Sequence, residues 1–337
     1  MTFFLTASFL VFLEIILLFF FSKIALNINL VDFPNERKIH KGHIPLVGGI
    51  IIYSSYLFYF LIADTSFEHK IIILSSLIIF FVGIYDDKFD LGVSERIFFQ
   101  IVSCLIVVGF GIRIIDLGDY FNFTFYLGGF GIVLSCLTII GFTNAINFSD
   151  GLDGLASGYI LNCLIMILLF STFGYKTDQL EPLYFLIILV VVFIISNYGF
   201  LLPKTFLGDS GSTSLGFLIS CYLVYFTLPD NRHFHPILTL WAAPFPIFDF
   251  MTVFIRRILK GINPFRPDRR HLHYLLIKQK FESKLIPIYL VSLSFLSSIS
   301  GFLVYYFLGS VHSLVFFFFL LVIYFLISIY VSRIDQN

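Results

Sequence analysis

Long apolar runs separated by short polar clusters make up almost the whole chain. Runs of about 16 to 24 residues, long enough to cross a bilayer as helices, lie near 3–22, 46–63, 70–85, 95–112, 126–143, 155–173, 182–198, 210–228, 236–257, 285–307 and 312–332. Because a backbone in hydrocarbon must satisfy its own polar groups, these runs predict an all-α fold, a polytopic membrane helix bundle of about 11 transmembrane helices. No internal repeat and no soluble domain interrupts the pattern, so residues 1–337 read as a single integral-membrane domain. The first run lacks a basic start and a small-residue cleavage site, which predicts a retained span rather than a signal peptide.

Composition agrees with the pattern. Hydrophobic residues are 58% and charged residues 12% of the chain, more apolar surface than a soluble core of this length could hide. Net charge is zero, so there is no global basic field of the kind that gathers nucleic acid, and no nucleic-acid partner is expected. Cys104, Cys136, Cys163 and Cys221 fall inside apolar runs without C-x-x-C spacing, which favours packing over disulfide or metal roles. Of the 21 Lys and Arg residues, only Lys70, Arg113, Lys176 and Arg232 lie in the connections after even-numbered runs. The basic excess therefore places the other connections in the cytoplasm, with the N-terminus outside and the C-terminus inside.

The polar clusters all fall on that cytoplasmic side. They read V-D-F-P-N-E-R-K-I-H-K-G-H-I-P-L-V-G-G from Val31, Y-D-D-K-F-D from Tyr85, T-N-A-I-N-F-S-D-G-L-D-G from Thr143, P-K-T-F-L-G-D-S-G-S from Pro203, and R-R-I-L-K-G-I-N-P-F-R-P-D-R-R-H-L-H from Arg256. Asp86, Asp87, Asp150, Asp153 and Asp209 would gather at helix ends, where two carboxylates at roughly 5 Å repel by about 3 kcal/mol at an effective dielectric near 20. A hard divalent cation held by one or two carboxylates and completed by phosphate oxygens accounts for the acids. The Arg/His loop supplies counter-charge to the remaining phosphate. The expected substrate is a diphosphate met at the membrane surface. A lone D-G or D-D pair would more often be an ordinary turn.

Taken together, the five clusters resemble the polyprenyl-phosphate N-acetylhexosamine-1-phosphate transferases, a family that includes the enzymes starting enterobacterial common antigen, O-antigen and wall teichoic acid and the peptidoglycan enzyme making the first lipid intermediate. The resemblance covers nearly the whole chain. N-P-F-R-P-D-R-R-H-L-H at Asn263–His273 is similar to the branch using UDP-N-acetylglucosamine, whereas the triple-His stretch of the peptidoglycan enzyme is absent. The reaction implied is attack by undecaprenyl phosphate on the sugar-bearing phosphorus of a UDP-N-acetylhexosamine, releasing UMP. Mg²⁺ is the implied cofactor, with Mn²⁺ as a substitute. The resemblance further implies a bacterial inner-membrane location, a cytoplasmic active site and, from relatives, a homodimer.

The resemblance also distributes roles. Asp209 in L-G-D-S-G is the implied Mg²⁺ ligand, its alternative being an N-cap for the following helix. Asp86 and Asp87 match the family's acidic pair, read either as metal contact, for which Asp87 is the candidate, or as positioning or deprotonating the lipid phosphate. Because a phosphate monoester is already mostly ionised near neutral pH, a dedicated base is less necessary. Asn147, Asp150 and Asp153 match N-x-x-D-G-x-D-G and are expected at the nucleotide-sugar. His271, His273, Arg269 and Arg270 match the Arg/His loop that meets the diphosphate; a zinc site there lacks further ligands at suitable spacing. Arg37, Lys38 and His40 are candidates for gripping phosphates, beside a plain positive-inside anchor. Tyr274 stands where several relatives carry another His and receives no role.

Two buried acids remain. Asp249, two turns before Arg256, is expected to orient a group near the site, while Glu14 sits in the first run with no partner evident, at a cost of roughly 2.5–3.5 kcal/mol for a charge at the bilayer centre. Pro244 and Pro246 predict a kink in the ninth run that could open a groove for the polyprenyl tail. The rival readings are a transporter, which should show midplane charges and inverted repeats, and a sibling transferase using another UDP-N-acetylhexosamine or UDP-muramoyl pentapeptide.

Overall fold

Each apolar run is helical in the computed structural model, which describes residues 2–32, 42–261 and 271–334. In chain order the helices are α1 (Thr2–Asn27), α2 (Gly48–Ile62), α3 (Phe67–Phe89), α4 (Val93–Gly109), α5 (Phe130–Phe148), α6 (Leu155–Thr172), α7 (Glu181–Asn197), α8 (Gly208–Tyr225), α9 (Leu238–Ala242), α10 (Pro244–Leu259), α11 (Leu272–Lys278), α12 (Leu285–Leu308) and α13 (Ser310–Ile334). By length and composition α1, α3, α5, α6, α12 and α13 are apolar enough to cross a membrane, and α2 and α7 are shorter apolar helices. The protein is a polytopic helical membrane protein.

The ninth run departs from a single kinked helix. It breaks at Ala243, whose φ of −150° and ψ of 72° are not helical, because the ring of Pro244 disfavours the α conformation in the residue before it and Pro244 has no N–H to give the preceding turn. The short α9 ends there, and Pro244 opens α10 in the position where a missing N–H costs least.

The all-α expectation is also too simple. Two small antiparallel pairs occur: β1 (Val31–Asp32) with β2 (Ile44–Pro45), and β3 (Asp116–Tyr120) with β4 (Phe123–Tyr126). The second lies in the aromatic stretch F-N-F-T-F, whose first two residues, Phe121 and Asn122, form the turn between its strands. The first is knit onward into the fourth cluster: Phe206 N–H donates to Pro45 O, Gly48 N–H to Phe206 O and Gly49 N–H to Leu207 O, each at 2.9 Å.

At the centre stands α8. Every one of its residues except Asp209 is buried. Its Gly and Ser residues give low hydropathy yet allow neighbouring backbones to approach closely, the usual basis of helix packing in membranes. A Cβ on Gly49 of α2 would overlap the Gly211 backbone, and one on Gly83 of α3 would overlap Ser210. Because Gly83 seats α3 directly on the start of α8, the acidic pair one turn further along α3 arrives beneath the α8 N-terminus.

Candidate active site

Asp87 occupies that N-terminus. Its Oδ1 accepts from the Asp209 backbone N–H at 2.7 Å and its Oδ2 from Ser210 N–H at 3.0 Å, so a side chain from α3 caps α8 where free N–H groups and the helix dipole favour an anion. Gly208 permits this: its φ is +74° and a Cβ there would collide with the Asp87 carboxylate. Asp209, freed from capping its own helix, is the one residue of α8 left unburied. Asn147 at the end of α5 donates from Nδ2 to Asp209 Oδ1 at 2.6 Å and to Ser212 Oγ at 2.9 Å. Asn147, expected at the nucleotide-sugar, gives its amide hydrogens to Asp209 and Ser212 and so orients the Asp209 carboxylate.

Asp150 lies in the exposed turn between α5 and α6. Crowding by protein, and then the Asp209, Asp87 and Asp153 carboxylates, push its pKa well above the ordinary carboxylate range. Among the described residues, no cation lies within ion-pair distance of Asp87, Asp150 or Asp209. The other two acids are paired. Asp153 meets Lys204 Nζ, and Asp86 is buried with Oδ1 accepting from Leu91 N–H at 2.7 Å and Oδ2 3.1 Å from Arg96 Nη1. Those two contacts tie Asp86 to the connection between α3 and α4. The third and fourth clusters are spliced by Asn197 at the end of α7, which accepts from Gly154 N–H at 2.6 Å and donates to Thr205 O at 2.9 Å.

The fifth cluster closes over the third. His271 Nδ1 lies 2.6 Å from Asp249 Oδ2, while Asp249 Oδ1 accepts from Leu272 N–H and from the Tyr324 hydroxyl, both at 3.0 Å. A carboxylate on Nδ1 fixes the ring and leaves Nε2 for other work, so Asp249 has the orienting part expected of it, with His271 as its partner. His273 is buried, burial pushing its pKa down to about 4, and its ring lies so close to Gly151 that a Cβ there would overlap Nε2. Arg37, Lys38, His40, Arg269 and Arg270 lie outside the described residues.

The structure thus brings Asp87, Asp150, Asp209 and Asn147 into one cluster, with the Asp153–Lys204 pair on its flank and the His271–Asp249 pair on the loop above. Sequence reasoning assigned no role to Lys204, Arg96 or Asn197. Lys204 was marked by being a cation inside an acidic cluster, and Asn197 by being a polar residue closing an apolar run. The side-chain donors of the cluster are all oxygen, the kind a hard divalent cation takes, while among the described residues no three His, Cys, Asp or Glu side chains are placed to hold a metal ion by themselves.

Residues 69–227 match the family model for glycosyl transferase family 4. The chain is 34% identical over 290 residues to the undecaprenyl-phosphate alpha-N-acetylglucosaminyl 1-phosphate transferase of Yersinia pestis, covering 80% of this chain and 78% of that protein. It is 35% identical over 272 residues to the enzyme of that name from Escherichia coli K12, covering 79% and 74%. The one from Haemophilus influenzae is 30% identical over 271 residues, covering 76% and 74%.

Proposed function

The chain belongs to glycosyl transferase family 4, and we propose that it transfers N-acetylglucosamine 1-phosphate from UDP-N-acetylglucosamine to undecaprenyl phosphate, opening the synthesis of a cell-envelope polysaccharide. The observation carrying this reading is the meeting of Asp87, Asp150 and Asp209, from three separate elements, with no cation among the described residues to offset them. Three such carboxylates repel unless a ligand brings positive charge.

Asp209, with Asp87 and Asp150, would hold Mg²⁺ or Mn²⁺, Asp87 keeping lone pairs beyond its two N–H bonds. When bound, the ion neutralises charge on the diphosphate. An oxygen of undecaprenyl phosphate forms a bond to the sugar-bearing phosphorus, and the bond from that phosphorus to the UMP oxygen breaks. UMP leaves with the electron pair. One phosphoanhydride replaces another, so the residues contribute position and charge rather than driving force. Asn147 fixes the Asp209 carboxylate, and Asp249 fixes His271 with Nε2 toward the diphosphate. Arg269, Arg270, Arg37, Lys38 and His40 are assigned to phosphate oxygens, and Asp153 with Lys204 to the nucleotide-sugar. Asp86 holds the α3–α4 turn.

In this reading the bundle crosses the bacterial inner membrane eleven times, α9 and α10 sharing one crossing, with the site on the cytoplasmic face. The test is transfer of labelled sugar phosphate from UDP-N-acetylglucosamine to undecaprenyl phosphate by purified protein. Labelled lipid and UMP should form with Mg²⁺ and vanish with EDTA or Asp209→Asn. Product from another UDP-N-acetylhexosamine alone would change the sugar, and silence with every such donor and with UDP-muramoyl pentapeptide would overturn the reaction.

A further inference from the structure

The end of the bundle opposite the carboxylate cluster carries a feature that the proposed reaction does not use. β3 and β4 join the end of α4 to the start of α5 through a two-residue turn, Phe121–Asn122, with φ of 52° and 63°. Positive φ at both central residues is what a tight hairpin requires, and Phe121 carries it without the ease of a glycine. A phenylalanine held at a strained, exposed turn calls for a reason.

The hairpin is pinned along its length. At its base Ile114 N–H donates to Ser135 Oγ of α5 at 2.7 Å. Further along, Asp116 accepts twice from Arg232 Nη2, at 2.7 and 2.6 Å, and Gly118 lies so close to the His235 ring that a Cβ would overlap it. Asp119 N–H donates to His235 Nε2 at 2.9 Å, and the Asp119 carbonyl accepts from Ser310 Oγ at 2.6 Å. Ser310 begins α13, one residue after the Gly309 that separates it from α12. The ribbon is therefore held against helix ends at both its base and its middle. It lies along the end of the bundle, at the level where the apolar helices stop.

Its free surface is aromatic. Phe121 is 84% and Tyr126 72% exposed, and Phe123 and Phe125 are exposed beside them. Exposed Phe110 and Phe130 continue the patch onto the ends of α4 and α5, with Phe67 against Phe110 at 5.8 Å. From Ile114 to Gly131 the only charged residues are Asp116 and Asp119; Asp116 is taken by Arg232, and the Asp119 carboxylate accepts from the Thr124 hydroxyl. A patch of this kind in open water is an association hazard, whereas aromatic side chains collect at the membrane–water boundary.

The geometry points to a lipid surface as its occupant: the β3–β4 hairpin is an interfacial anchor whose rings sit at the headgroup–acyl boundary of the leaflet opposite the site. This does not depend on the reaction assigned above. Phe121→Trp and Tyr126→Trp test it separately in the full-length protein reconstituted in phospholipid nanodiscs. The chain's single tryptophan, Trp241, is fully buried, so the parent protein supplies the baseline, and a ring-for-ring change at an exposed position leaves the packing in place. Emission from the added tryptophan should be blue-shifted, lost to phospholipids brominated near the headgroup end of their chains, and insensitive to aqueous iodide. Quenching by iodide but not by brominated lipid would overturn the proposal by placing the rings in water. Quenching by neither would overturn it equally, because protein, such as a second copy of this chain, would then be covering the patch.

Discussion

Asp150 shows most directly what the unoffset carboxylates imply. Crowding by the surrounding protein and then the neighbouring carboxylates raise its pKa in the folded protein above the value of about 3.9 for an unfolded chain. The folded state then binds the proton more tightly, so stability is present at low pH and is lost as pH rises through the folded pKa. In EDTA, melting temperature should fall as pH rises above about 4, less so in Asp150→Asn, and Mg²⁺ should restore it at the upper end of the range. A wild-type profile matching the variant's would remove Asp150 from the cluster. For Asp249→Asn, loss of the anionic partner of His271 should lower kcat about 10- to 100-fold with little change in KM, as for partners that orient ligating histidines; steady-state kinetics beside a thermal melt separate that from unfolding. Glu14 is different in kind. It is buried in α1 with both carboxyl oxygens lacking a hydrogen-bond partner among the described residues, so Glu14→Leu should raise stability by about 1–3 kcal/mol, read as an increase in melting temperature.

At the scale of elements, α8 governs the site through what its small residues allow. Gly83→Leu should push α3 off Ser210, destabilise the bundle by about 1–3 kcal/mol, and withdraw Asp87 from the α8 N-terminus. Gly109→Ala, where an added Cβ meets nothing within 4 Å, should leave melting temperature and activity near wild type. This element also shows where the sequence stops being readable. Apolar runs announce spans because bilayer thickness dictates their length, and acids at Gly-rich turns announce a site because charge is costly beside hydrocarbon. Neither signal says that Asp87 caps a helix beginning 121 residues later, that Asn147 aims Asp209, or that Asn197 ties Gly154 to Thr205. Those contacts are set by which backbones come close, and a Gly–Gly approach such as Gly49 on Gly211 leaves no mark in hydropathy. The break at Ala243 was half legible: proline marked the place, but kink or rupture depends on packing that only the fold supplies.

For the whole molecule, the placement of charge along the sequence carries the orientation proposed for the bundle in its membrane. Seventeen of the 21 basic residues fall in the connections after odd-numbered apolar runs and in the C-terminal tail, the asymmetry on which the proposed cytoplasmic site rests. The donor, a charged nucleotide-sugar, would then be met where it is made, and the aromatic hairpin would lie in the opposite leaflet. Thr177 and Glu282 are exposed residues on connections separated by α7, α8 and the broken α9–α10 pair, which is an odd number of crossings if that pair counts as one. A cysteine at Glu282 should therefore escape a membrane-impermeant maleimide in intact cells and react after permeabilisation, while one at Thr177 should react in both. Three of the native cysteines are buried and Cys136 is partly so, which keeps the parental background low. Labelling of both sites in intact cells would mean that one of those three crossings is not made. The reverse pattern would turn the carboxylate cluster away from its nucleotide-sugar and leave the transferase reading without a donor.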